Sequence, residues 1–388
     1  MIKFFKIMNN EACPCKSGKR YNNCCKKKPP QKFKTLSQKE ALINKIDKKS
    51  KIRTCIIDDC DTKAKDVIMA HAIQKNRILK KIACDGKVLT PNFEENPTLI
   101  DINGKLESFH FLEEVDIRKA TVYSCFCSKH DNDVFKPIEK EKYSFEILTN
   151  EQKFIFAFRT FSFEYYKDLS VIKFYEMMCK EFPEALRKLS FVYKYRNARI
   201  KIDELEYYNA LFNEKLKKKE YDDLYTHTMK IPYKIGITGY MSVAPPFDLK
   251  GKRVKGLIGR NKLMKRMFIT IFPDSNYSYI LFSCLKADLD VYQDYFNSLE
   301  TSDIKLVLNY LNLFIPIYSE NLVMSPALYD SYDEKGKAIL QTFAGEASTL
   351  RISQYLSALQ DLLKKIEKNE SKIKELDENP YNLFLKMN

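Results

Sequence analysis

Two groups of cysteine and histidine carry most of the chemistry open to this chain. Cys55 and Cys60 offer two thiols with four residues between them. Much later, Cys127 and His130 offer a third thiol and an imidazole, with two residues between. Three soft sulfur ligands and one borderline nitrogen are a donor set for one tetrahedral zinc. His71 is left over, and so is the carboxylate of Asp131. A spare imidazole and a spare carboxylate are what metal-assisted hydrolysis requires, a base for water and a hard oxygen ligand for magnesium. The other group is compact: Cys13, Cys15, Cys24 and Cys25 fall within a single short stretch. Four thiols so close predict a second structural zinc, and a segment this short has no core and folds only on its metal.

The later group resembles an HNH-type nuclease module, a ββα-metal treble clef. The resemblance implies that Cys55, Cys60, Cys127 and His130 hold the structural zinc. It also implies that His71 is the general base and that Asp131 stands where the family keeps a His or Asn for the catalytic metal. Sixty-six residues separate the two ligand pairs, more than a minimal module needs, and no Asn stands between Arg118 and Ser124 for the motif's middle position. Residues 12–26 resemble the SEC-C motif, a zinc knuckle known from the tail of the bacterial preprotein translocase motor. All four ligand positions are kept, with Lys16 where Gly is usual and Cys25 where His is often found. In that family the knuckle docks onto partners, so the resemblance implies a protein partner here. Knuckle and nuclease module together resemble mobile-element and phage-defence proteins.

The elements that must position these residues belong to a folded chain. Of 388 residues, 45% are hydrophobic, with 26 Phe and 24 Tyr, enough for two or three cores. No run of eighteen apolar residues is present, and the first ten are too few and too charged for a signal peptide, so a cytoplasmic protein without a membrane is expected. Eleven cysteines in that compartment mean metal sites and buried thiols, Cys84 and Cys125 among the latter, rather than disulfides.

Net charge is +15, yet residues 1–54 hold 16 Lys/Arg against 3 Asp/Glu, while the other 334 residues hold 50 against 48. The excess therefore sits on an N-terminal arm. Such an arm attracts polyanions by releasing their counterions, and Lys19, Arg20, Lys26, Lys27 and Lys28 are its candidate nucleic-acid contacts.

The expected class is α+β. Its parts are a knuckle over 1–30, a basic linker and helix over 31–54, a zinc module over 55–140 and a larger domain over 150–388. A helix over 37–51 carries Leu42, Ile43 and Ile46 on one side. Apolar spacing through Val67, Ile78, Leu79 and Ile82 reads as a helix over 66–82, while short β-branched runs there, and the strand on which an HNH base usually sits, leave a strand at His71 open. Short strands follow at 86–90 and 98–102. Phe154, Phe158, Phe161, Tyr165, Leu169 and Ile172 recur at helical steps, so a long helix runs until Pro183, followed by a charged one over 184–220. Strands are predicted over 231–243, 267–272, 277–284 and 311–318, with a turn at 273–276 making a hairpin. Short turns imply an antiparallel sheet covered by helices on one side. His110 reads as a surface residue, and 250–260 as a basic surface loop without the ending of a phosphate loop. Heptad-like spacing over 348–376 fits either packing on the chain's own sheet or pairing with a second copy.

Two functions follow. One is a zinc-containing nuclease hydrolysing DNA or RNA with two structural zincs and a magnesium-type ion. The other is a non-enzymatic, zinc-stabilised nucleic-acid- or protein-binding protein. No nucleotide loop, serine elbow or zincin helix competes with them.

Overall fold

The computed structural model describes residues 6–91, 98–102, 105–109, 111–259, 263–319, 321–344 and 381–387. The chain divides into two compact units. One comprises Met1–Ala70, Tyr123–Asp131 and Ser162–Lys218; the other comprises His71–Val122, Asn132–Phe161 and Lys219–Asn388. His110 and the 348–376 segment lie outside the described residues.

The first unit holds the knuckle, helix α1 (Leu36–Ser50), the pair of strands β1 (Val67–His71) and β6 (Val122–Cys127), the second half of α4 (Asn150–Glu181), and α5 (Leu189–Lys218). Thr35 caps α1 by accepting the Gln38 backbone N–H, which satisfies one orphan donor of its first turn. Leu42, Ile43 and Ile46 do share one face, and they pack on Phe174, Met178 and Phe182 at the end of α4. Pro183 opens the turn Pro183–Arg187 that separates α4 from α5, because it cannot supply the next helical N–H.

The region 66–82 is not one helix. It folds as strand β1, then a single π turn, Lys75–Leu79, and a short α2, Lys80–Ile82. Val67 and Ile68 favour extended backbone, while Ile78, Leu79 and Ile82 belong to the turn that follows. A period read across that join merged two elements. After β6 the chain enters α3 (Ser128–Glu139) directly.

The second unit is built on a seven-stranded sheet in the order β5-β2-β11-β8-β9-β10-β7. Its strands are β2 (Lys87–Pro91), β5 (Leu112–Asp116), β7 (Leu224–Ile231), β8 (Ile237–Val243), β9 (Met267–Pro273), β10 (Ser278–Leu285) and β11 (Val323–Met324). The strands β3 (Thr98–Ile102) and β4 (Lys105–Phe109) pair separately. Every pairing in the large sheet is antiparallel, and β9 and β10 form the predicted hairpin. Of the expected strand over 231–243 only Ile237–Val243 is one strand, β8, and Ile231 is the last residue of β7. Ser278 Oγ accepts the Ile235 N–H and donates to the Tyr233 carbonyl, so the chain bends between β7 and β8.

Helices cover both faces of the sheet, not one. Along β9, Met267, Ile269 and Ile271 join the core with α6 (Leu289–Thr301) and α7 (Ile304–Tyr318). The alternate residues meet the other side: Phe268 against Phe161, Thr270 against Thr160, and Phe272 against Phe145 and Phe156. Met267–Pro273 carries no charged residue on either face, which is how a strand buried on both sides reads. The expected strand at 311–318 is the second half of α7. An apolar run with no polar face does not distinguish a strand from an all-round buried helix. The remaining helices are α8 (Pro326–Asp330) and α9 (Glu334–Ala344), and Leu340 of α9 reaches the same core. No helix among the described residues is long and apolar enough to cross a membrane.

Candidate metal centres and His71

All eleven cysteines are free thiols, and among the described residues eight side chains that could hold a metal fall into two clusters. Cys13, Cys15, Cys24 and Cys25 form one; Cys55, Cys60, Cys127 and His130 form the other. Within each, the ligand atoms lie within 4.8 Å of one another. In the first cluster Cys13 and Cys15 sulfurs are 3.4 Å apart, Cys15 and Cys24 3.5 Å, and Cys24 and Cys25 4.0 Å. In the second, Cys60 and Cys127 sulfurs are 3.9 Å apart. His130 Nδ1 lies 3.3 Å from Cys55 Sγ and 3.4 Å from Cys127 Sγ. Ligands about 2.3 Å from a central zinc stand about 3.8 Å apart at the corners of a tetrahedron. A disulfide would need about 2.05 Å. The donor sets and their spacing thus fit two zinc ions. Burial and neighbouring thiols push Cys55 up to about 12, so a dication is what makes this many close thiolates tolerable.

Local backbone explains the ligand spacing. In the knuckle, Cys13 N–H donates to the Lys19 carbonyl and Tyr21 N–H to the Glu11 carbonyl, closing a small hairpin over the ligands. Lys16 sits at φ 57° and Gly18 at φ 75°. Glycine adopts that left-handed turn without penalty, whereas Lys16 adopts it against the clash of its own Cβ. The knuckle is seated on its own unit. Cys25, fully buried, has its sulfur 3.3 Å from the Cys179 carbonyl oxygen, Arg187 donates to the carbonyls of Lys26 and Lys28, and Arg196 pairs with Glu11 at 2.7 Å. Lys19, Arg20, Lys26, Lys27 and Lys28 are all exposed.

The second cluster is assembled from distant pieces. The loop carrying Cys55 and Cys60 lies along β6, with Thr54 N–H on the Ser124 carbonyl and Ile56 N–H on the Cys125 carbonyl. It is latched by Asn213 of α5, which accepts from Asp58 N–H at 2.9 Å and donates to the Ile56 carbonyl at 3.0 Å. Asn213 is 4% exposed. In sequence it is one polar residue in a Lys-rich helix, and nothing there marks it as a brace. β6 ends on Cys127, and His130 follows in the first turn of α3, its N–H directed at Cys127 Sγ. Asp131 stands next, half-buried, in that same turn.

Of the two expected buried thiols, Cys125 is fully buried, and burial raises its thiol well above the usual range. Cys84 is half-buried, 3.6 Å from Ser325 Oγ.

His71 is the last residue of β1, not part of a helix. Its Nδ1 lies 3.0 Å from the Ala120 carbonyl. A carbonyl only accepts, so Nδ1 carries the proton and Nε2 keeps its lone pair. The turn that supplies Ala120 is strained. Thr121 is at φ 56°, unfavourable for a β-branched residue, and is fixed by the Ala72 N–H on its carbonyl and the Ile73 N–H on its hydroxyl. Burial, and then the charges of Lys75 and Arg159, lower the pKa of His71, against the opposing pull of the Ala120 hydrogen bond and Glu139. The balance favours the neutral imidazole. Arg159 is itself 1% exposed, 2.5 Å from Glu139 and stacked on the Phe135 ring at 4.3 Å.

Comparison with known protein families, with characterised proteins and with solved structures gave no match.

Proposed function

We propose that this chain is a zinc-braced, HNH-like nuclease that hydrolyses phosphodiester bonds of DNA or RNA. The observation that carries the reading is the state of His71. It ends a strand paired with β6, the strand that delivers Cys127 and leads into the helix of His130 and Asp131. Its neutral form is favoured, its tautomer is set by the Ala120 carbonyl, and it is held beside a strained turn. These are the attributes of a general base, and strain of this kind is concentrated where function requires it.

In this reading Nε2 of His71 takes a proton from water as the water oxygen attacks phosphorus. The bond from phosphorus to the leaving sugar oxygen breaks, and that oxygen is protonated from solvent. Asp131 is the proposed ligand of a magnesium-type ion, which when bound supplies charge stabilisation at the phosphate. Cys55, Cys60, Cys127 and His130 would hold one structural zinc, and Cys13, Cys15, Cys24 and Cys25 the other. The cations Lys19, Arg20, Lys26, Lys27 and Lys28, exposed on the knuckle and the segment after it, would meet the polyanion. Such an architecture suits action on foreign nucleic acid, as in phage defence.

The experiment is cleavage of plasmid DNA and of labelled RNA with magnesium, by wild type and His71→Ala. Loss of about a hundredfold or more is expected, with two zincs per chain and thermal stability retained. Equal cleavage by both proteins would remove His71 from the role of base, and none by wild type would leave the zinc-stabilised binding protein as the better account.

A further inference from the structure

His71 is flanked on both sides by segments that line one open cleft. After His71 the chain passes through Gln74 into the π turn, a local geometry frequent at functional sites. Gln74 is fixed there by donating to the Ile138 carbonyl at 2.5 Å. On the other side, the turn 116–121 supplies the carbonyl that holds His71. It is closed by Lys119 and Ala120 N–H groups on the Asp116 carbonyl, and it is tied to the turn at Gly86 by Ile117 N–H.

Lys75, Asn76 and Lys80 from the π turn and α2, Gly86, and Asp116 with Arg118 bound a space of about 360 Å³. Three of these are cations and one is an anion, which leaves a net charge of +2. Asp116 is already committed. Its two oxygens take the Arg118 Nε at 2.9 Å and Nη2 at 2.6 Å, and that guanidinium holds its carboxyl well below the usual range. The pair aims an Arg118 side chain that is still 77% exposed. Lys80 is exposed and Lys75 half-buried, and neither makes an ion pair among the described residues. Gly86, at φ 74°, leaves the floor open, with nothing near where a Cβ would stand.

We propose that this cleft seats the sugar-phosphate backbone of the nucleic acid beside the phosphate that His71 addresses. A planar, pre-aimed guanidinium and two lysine point charges match successive phosphate oxygens, and exposed Asn76 adds a donor and acceptor. The charge of Lys75 also acts on His71, so one residue belongs to both the cleft and the base. The proposal rests on the nuclease reading for its orientation, and its test separates the two.

Binding is measured with labelled single-stranded DNA, duplex DNA and RNA, without magnesium, in the His71→Ala protein so that cleavage cannot intervene. The same protein carrying Lys75→Glu and Lys80→Glu is the comparison, and Arg118→Gln is a milder second variant. Zinc content and thermal unfolding serve as folding controls for all three. At least one polymer should bind about tenfold or more weakly to the double variant. The slope of log K against log salt should fall by about 2, roughly 0.9 for each phosphate no longer neutralised. Unchanged affinity and slope, or no binding of any polymer by the parent, overturns the cleft.

Cleavage then distinguishes the two ideas. Wild type that cuts nothing, with binding abolished in the variants, removes the nuclease reading and keeps the cleft. Wild type that cuts, with kcat/KM unchanged in Lys75→Glu/Lys80→Glu, keeps His71 as base and removes the cleft.

Discussion

The two cysteine clusters use nearly the same donor chemistry in opposite ways. Cys13, Cys15, Cys24 and Cys25 come from one short stretch, which closes by its own backbone hydrogen bonds at Glu11, Cys13, Lys19 and Tyr21. Cys55, Cys60, Cys127 and His130 come from a loop and a strand–helix junction far apart in sequence, and Asn213 of a third element braces them. A local cluster costs little loop entropy and stabilises mostly itself. A cluster that joins distant segments fixes everything that hangs on those segments, including the strand pair that ends in His71. The first is a local staple; the second ties distant segments together and, in the nuclease reading, sets the site.

The largest expected effect would break this contrast outright if it failed. Cys127→Ala should release one zinc and unfold the 55–71 and 122–139 segments, because structural zinc supplies roughly 10 kcal/mol or more of apparent folding energy in such modules. Cleavage should vanish with it. Cys25→Ala should also release one zinc, yet lower cleavage far less and through weaker capture of the nucleic acid by the cations of the knuckle, since no catalytic element is built on it. Elemental analysis and circular dichroism of the two variants check this. Equal loss of activity would mean that both clusters set the site.

The difference between the clusters also governs how much of each is legible in the sequence. The knuckle is legible down to its ligands because its information is contiguous. The left-handed backbone at Lys16, by contrast, is disclosed only by its φ. The second ligand set is legible from residue types, but the strand that carries His71 is legible only as an alternative to a helix. The apolar spacing of Ile78, Leu79 and Ile82 belongs to the π turn and α2, and a single period drawn from Val67 to Ile82 hides the join. The hairpin of β9 and β10 is plain from Pro273 to Asn276, whereas α7 passes for a strand because its apolar positions have no polar counter-face. Lys75, Lys80 and Arg118 give no signal at all. They converge only through the turns at Gly86 and at 116–121, and that convergence is tertiary.

A smaller effect sharpens the comparison at the base. Desolvation, Lys75 and Arg159 lower the pKa of His71, while the Ala120 carbonyl and Glu139 raise it. A base is active when unprotonated. Cleavage should therefore be constant from neutral pH downward, and then fall with an apparent pKa below the ordinary imidazole value of about 6.5. A pH profile of kcat/KM checks it. The Lys75→Gln protein should show that limb displaced toward higher pH, because one of the charges holding the pKa down is gone. A limb at or above the ordinary value in wild type would remove His71 from the role of base.

The smallest effect tests whether the knuckle is held by its metal and burial or by its charges. Arg196 pairs with Glu11 at 2.7 and 3.0 Å and also donates to the Lys6 carbonyl at 2.9 Å. The side chains remain 23% and 35% exposed. A partly exposed pair contributes less than about 1 kcal/mol, since water and salt screen it and two long side chains must be ordered. The buried contacts of Cys25 and Tyr21, by contrast, are formed only when the ligands are gathered. Arg196→Met keeps the packing of the stem and removes the charge. It should leave two zincs per chain and lower the denaturation midpoint only slightly, by an amount that shrinks further in high salt. Loss of one zinc on that substitution would mean that the seat on α5, not the metal, organises the knuckle. The contrast between a self-contained staple and a long-range site would then fail from the knuckle's side.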